Sequence, residues 1–106
     1  MQNMFRMCAI VLLAACASAA YAQNSGEEVY KTNCALCHGV SGEADTPAGK
    51  TFKATQFTAP EAFKKSDAAL LAFTKKGKGQ MPGWADVLTD EQLKNVIAYL
   101  HTLEKK

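Results

Sequence analysis

No segment of these 106 residues alternates polar and apolar side chains at the period of a strand, and none repeats another. No apolar run reaches the about 20 strongly apolar residues that a membrane-spanning helix needs. The longest run, residues 8–20, is short and interrupted by small residues. There is no large excess of charge: 12 basic against 10 acidic residues leave a formal net of +2. That balance argues against a nucleic-acid binder. The length allows one domain. Cysteine is sparse, and C-x-x-C occurs once, whereas a structural zinc site usually takes two such pairs.

The N-terminus carries its own pattern. Residues 1–7 hold one positive charge, Arg6, and the apolar run follows. Ala20-Tyr21-Ala22 fits a small-residue cleavage site before Gln23. The chain thus divides into an export signal peptide, 1–22, and one domain, 23–106. Leu13-Ala14-Ala15-Cys16 also resembles a lipoprotein box, which would tie the protein to a membrane face through lipid on Cys16. The Ala22 site, and the lack of a Gly/Ser-rich tether after Cys16, favour the ordinary signal. Either route leads to the periplasm or another exported compartment, and either removes Cys8.

After cleavage at Ala22 only Cys34 and Cys37 remain. A cysteine pair in an oxidising compartment tends to form a disulfide. One closing so short a loop removes little unfolded-chain entropy and staples poorly. A chain this small needs a staple, and a large apolar prosthetic group would serve better.

Helical signals dominate the rest. Ser25 with Glu28 has the form of a capping box, predicting a helix over 26–37. Residues 39–58, punctuated by Gly39, Gly42, Pro47 and Gly49, read as irregular. A helical turn is expected at 60–65, with Pro60 in its first turn. Ser66 as N-cap and Gly77 as stop bracket a helix over 67–76. A loop, 77–88, follows. Thr89 and Gln92 form a second capping box, and Leu93, Val96, Ile97, Leu100 and Leu103 recur at helical spacing behind it. The fold class is all-α.

Cys34-Ala35-Leu36-Cys37-His38 has the C-x-x-C-H form of c-type haem attachment. Two thiols about one helical turn apart can each bond a vinyl group, and the next residue can turn its imidazole to the iron. A thioredoxin-like thiol pair expects a βαβ setting that is missing here. Zinc would have to recruit His101 at poor spacing, and a plain disulfide leaves His38 unexplained.

Over nearly the whole length of the mature chain, from an N-terminal helix that ends in the attachment motif, the sequence resembles the class I monohaem cytochromes c, with the pieces in that family's order. They are Cys34-Ala35-Leu36-Cys37-His38-Gly39, a Gly/Pro loop, a middle helix, Gly79-Gln80-Met81-Pro82, and an amphipathic last helix with Tyr99 and Leu100. The resemblance implies three to four helices wrapped around one covalent haem c. It implies Cys34 and Cys37 as attachment points, with His38 and Met81 as axial ligands. Met81 is also the one methionine left after signal removal. His101 is the rival distal ligand, though it reads better as a helix-end residue.

The resemblance further suggests that the Pro47 carbonyl accepts a hydrogen bond from the proximal imidazole, and that Trp84 lines the haem pocket. Each could equally be a loop breaker or ordinary packing. Tyr30, Leu70, Phe73, Leu93, Ile97 and Leu100 read as core and pocket walls, with the first and last helices crossing. Lys75, Lys76 and Lys78 are either a solvated helix end or a docking patch for an acidic redox protein. The implied function is single-electron transfer between redox proteins, not enzymatic turnover. The alternatives are a haem protein with a labile distal site and a non-haem thiol-redox module. A membrane enters only if Cys16 is lipidated.

Overall fold

The computed structural model describes residues 25–105, so the expected signal peptide and Cys16 lie outside the described residues. Five α-helices and one 3-10 turn follow in order: α1 (Gly26–Asn33), α2 (Ala35–His38), α3 (Pro47–Phe52), the 3-10 turn (Pro60–Phe63), α4 (Asp67–Lys76) and α5 (Asp90–Leu103). Among the described residues the only bridge of β type is an isolated one between Lys78 and Met81. The all-α expectation is met, with more helices than the three to four expected.

The two additional helices have identifiable causes. The expected helix over 26–37 is broken at Cys34, whose carbonyl accepts N–H bonds from Cys37 (3.3 Å) and His38 (3.0 Å) and so starts a new turn. The second is α3, in a stretch that had read as irregular. Thr46 caps it by accepting from the Gly49 N–H at 2.9 Å, and Pro47 occupies its first turn, where the missing N–H costs nothing. The Ser25–Glu28 capping box does not form: Ser25 has the extended N-cap backbone, but its side chain makes no cap bond.

The last two helices keep their expected bounds. Ser66 Oγ accepts from the Ala69 N–H at 3.1 Å, and α4 stops at Gly77. Thr89 and Gln92 close a full capping box on α5.

The core is the crossing of α1 and α5. Tyr30 is fully buried and Leu93 is 1% exposed, and Val29, Ala35, Leu88, Val96 and Leu100 complete the cluster. The Tyr30 and Tyr99 rings lie 5.4 Å apart at a tilt. Gly26 permits the close approach, because a Cβ there would run into the backbone of Asn95. Leu93, Val96, Ile97 and Leu100 are the buried stripe that the helical spacing predicted. In contrast, α4 has no buried residue: Leu70, Leu71 and Thr74 are half-buried, and Phe73 is 39% exposed.

Candidate haem site

One apolar cavity of about 490 Å3 runs between these elements. Cys34, Cys37 and His38 enter its lining from the α1–α2 junction, Phe52 to Thr55 and Phe57 from the end of α3 and the segment beyond, Phe73 and Thr74 from α4, and Met81 and Trp84 from the loop after α4. Leu93, Val96, Ile97 and Leu100 present the α5 stripe to the same space. A cavity of this size with a few polar groups is typical of a cofactor site.

The break at Cys34 shapes the attachment segment. The Cys34 N–H donates to the Tyr30 carbonyl at 2.8 Å, and the His38 carbonyl accepts from the Ala44 N–H at 2.8 Å. Thr46 Oγ1 donates to the Cys37 carbonyl at 3.3 Å. The Tyr30 hydroxyl, inside the core, donates to the Gly39 carbonyl at 2.6 Å. Burial, then the Cys34 thiol, Tyr99 and Asp45, push the Tyr30 phenol above its ordinary range.

His38 Nδ1 lies 2.9 Å from the Thr55 carbonyl. A carbonyl only accepts, so Nδ1 carries the proton and Nε2 keeps its lone pair. Burial holds His38 below the usual imidazole range, opposed by that hydrogen bond. Phe57 packs its ring 4.5 Å from the imidazole at a 31° tilt, which fixes the ring plane. The acceptor expected from the resemblance was Pro47. The structure corrects this: Pro47 opens α3, and the chain returns through Thr55 to reach the imidazole.

Both thiols are free. Burial, and then the neighbouring Cys37 thiol, push Cys34 up to about 11. That is the opposite of the lowered thiol pKa on which C-x-x-C oxidoreductases depend. Among the described residues no group of three or more His, Cys, Asp or Glu side chains is placed to hold a metal ion. His101 stands outside the cavity: its Nε2 is 2.8 Å from Asp67 Oδ1, and its ring packs 4.7 Å from Phe63. It remains the helix-end residue that the sequence suggested.

Trp84 does line the cavity, and so do Tyr30, Phe73, Leu93, Ile97 and Leu100, but Leu70 does not. Sequence reasoning missed Phe52, Lys53, Thr55 and Phe57. The Thr46-Pro47 pair, an N-cap before a first-turn proline, was the signal for the helix that delivers them. Lys75 is not a free charge, since its Nζ lies 3.0 Å from Asp90 Oδ1. Lys78 reaches the cavity rim, and Lys76 stays exposed. No helix among the described residues is long and apolar enough to cross a membrane.

The donor set suits a covalently held haem. Two free thiols, an imidazole with its outer nitrogen satisfied, and a thioether sulfur all border one apolar space.

Comparison with known proteins points the same way. A family model described as cytochrome c oxidase, cbb3-type, subunit III matches residues 22–100. Cytochrome c6 of Thermosynechococcus vestitus is 39% identical over 95 residues, spanning 87% of this chain and 81% of that protein. Cytochrome c6 of Bryopsis maxima is 35% identical over 75 residues, 71% of this chain and 84% of that protein. A solved structure described as KustC0563 c-type cytochrome superposes with a TM-score of 0.70 at 28% identity, covering 76% of this chain and 99% of the other.

Proposed function

The chain belongs to the monohaem cytochrome c family, and on that premise we propose that it is an exported carrier of single electrons. Cys34 and Cys37 would hold one haem c through thioether links, and His38 and Met81 would be the donors to its iron. The observation that carries this reading is the meeting of Cys34, Cys37, His38 and Met81 on the wall of one apolar cavity.

The haem supplies an iron that changes by one electron. The chain's residues set the conditions for that change. Thr55 accepts the Nδ1 proton bond of His38, which orients the imidazole and raises its basicity. The apolar lining keeps water away. With His38 and Met81 both serving as donors, a bound haem would leave no open position for a substrate, which is what separates a carrier from a catalyst. His/Met ligation raises the potential relative to two histidines. The exposed Lys76 at the end of α4 and Lys78 in the loop are the charges we assign to an acidic redox partner, with Lys75 already paired to Asp90.

The test is the ferric spectrum with a Met81→Ala partner. The wild type is expected to be low-spin with the weak near-infrared methionine-to-iron band, and indifferent to carbon monoxide when reduced. Met81→Ala is expected to keep its haem, lose that band, bind carbon monoxide and show a lower potential. A high-spin wild type, or a variant with unchanged spectrum and potential, would overturn the distal assignment. The mass of the mature protein places the cleavage site at Ala22 or at Cys16.

A further inference from the structure

We infer that Gly77 is a positioning residue for Met81, setting where the thioether stands by letting the return limb of the loop lie directly on the end of α4. The inference rests on the proposed reading of Met81 as a distal ligand.

The loop leaves α4 and comes straight back onto it. The Trp84 N–H donates to the Thr74 carbonyl at 3.1 Å, and the Ala85 N–H to the Lys75 carbonyl at 3.3 Å. These carbonyls belong to the last turn of α4, where the helix itself offers no partner. Between the two limbs, Lys78 and Met81 exchange backbone hydrogen bonds at 3.0 and 3.1 Å. Met81 therefore has both its N–H and its carbonyl tied to Lys78, and the limb that carries it is tied to the α4 terminus three residues on, at Trp84.

Gly77 is the pivot of this arrangement. Its φ of 75° and ψ of 172° fall in a region that is essentially glycine-only. A Cβ on it would also stand 2.5 Å from Gly83 N, 2.6 Å from Pro82 C and 2.7 Å from Met81 O. All three are backbone atoms of the return limb, so no side chain can swing aside to make room. Any side chain at 77 has to push residues 81–83 away from α4. Gly79 is the instructive contrast: its φ is 61°, yet nothing lies within 4 Å of a Cβ built on it. It needs glycine's backbone freedom but holds no contact.

The experiment compares Gly77→Ala, Gly79→Ala and Met81→Ala as haem-loaded proteins. Three quantities are read: the near-infrared methionine band, the midpoint potential, and the affinity of the ferric protein for added imidazole. Gly77→Ala is expected to lose most of the band, to lower the potential, and to bind imidazole roughly ten- to a hundredfold more tightly. Haem stoichiometry and helix content should stay at the wild-type level. Gly79→Ala should keep the band. If Gly77→Ala keeps the band and imidazole affinity of the wild type, or if the two glycine variants respond alike, the pivot role is wrong. If Met81→Ala also changes nothing, it is the ligand assignment that has failed instead. Should Gly77→Ala not accumulate, Ala85→Pro tests the same clasp from the other limb. It removes the donor to the Lys75 carbonyl at a turn position that proline favours, Val87 N–H bonding back to Trp84. A weaker band and tighter imidazole binding are expected there, and an unchanged pair of readings would overturn the inference.

Discussion

The two sides of the cavity are built differently. On the attachment side, residues 33–58, the backbone at Cys34, Cys37, His38 and Gly39 is held by bonds from Thr46, Ala44 and Tyr30, and the imidazole by Thr55 and Phe57. That side is anchored in the core through Tyr30 and Ala35. On the loop side, residues 77–85, Gly79, Gln80, Pro82 and Gly83 are exposed, and order comes from one backbone bridge and three bonds to the end of α4, from Gly77, Trp84 and Ala85. The difference teaches that Cys34, Cys37 and His38, the donors proposed for the proximal side, are placed independently of Met81, the donor proposed for the distal side. Opening the loop should release Met81 while leaving attachment and fold intact, because the low-stability end of the structure is where opening costs least.

The largest expected effect is on attachment itself. Cys37→Ala should reduce covalent haem to a small fraction of the wild-type level, read on a denaturing gel stained for haem. Met81→Ala should leave the same stain unchanged. Full loading of Cys37→Ala would remove the asymmetry between the two sides at its root.

Next comes the core beneath the attachment side. Leu93 is 1% exposed and touches both the α1–α5 crossing and the cavity. Leu93→Ala should cost about 2–5 kcal/mol in denaturant unfolding. Gln80→Ala, on the exposed loop, should stay within about 0.5 kcal/mol of the wild type. Equal losses at the two positions would mean the loop is as cooperative with the core as α1 is.

Tyr30→Phe addresses the side-chain bond that ties the core to the attachment turn. Losing the hydroxyl leaves the buried Gly39 carbonyl without its donor, which should cost about 1–3 kcal/mol. The pH dependence gives a second reading. The folded-state phenol is pushed above its unfolded value near 10, mainly by burial. A group raised in this way contributes stability in full below the unfolded pKa and loses it as pH climbs beyond. Wild-type stability should therefore fall above about pH 10, by up to about 1.4 kcal/mol per pH unit from this group. Tyr30→Phe should lack that component. A variant with the same alkaline slope as the wild type would show that Tyr30 does not carry it.

The same contrast explains what could be read from the sequence. The bounds of α4 and α5 were legible because Ser66, Gly77, Thr89 and Gln92 encode caps locally. That Cys34, Cys37 and His38 would border one space with Met81 was legible from the motif spacing and the order of the segments. The break at Cys34 was not, since it depends on a carbonyl bifurcating toward Cys37 and His38 within an otherwise helical pattern. Nor was the partner of the imidazole. Thr55 reaches His38 across 17 residues, after α3 has turned the chain, and no local propensity records that. The buried state of α5 followed from its stripe, but that of α4 did not. Its residues divide between the two: Phe73 and Thr74 line the cavity while Leu71 packs half-buried against the core, and hydrophobic period alone does not distinguish these fates.

The smallest effect is expected at Lys75, and it asks whether charge helps hold the loop side. Lys75 Nζ lies 3.0 Å from Asp90 Oδ1, joining the last turn of α4 to the start of α5 next to the loop. Both side chains are substantially exposed, at 38% and 58%. Water screens such a pair and the ordering of two side chains opposes it, so Lys75→Met should cost no more than about 1 kcal/mol. The loss should shrink further as salt shortens the reach of the charges. The methionine band should persist, because the loop is pinned through the carbonyls of Thr74 and Lys75, which the substitution leaves in place. The charge already neutralised by Asp90 should also matter little to partner encounter. Replacing Lys76 and Lys78 together should then weaken the salt dependence of electron exchange with an acidic redox protein more than Lys75→Met does. If Lys75→Met alone abolished the band, the loop would be held by this ion pair, and the backbone clasp would be secondary to it.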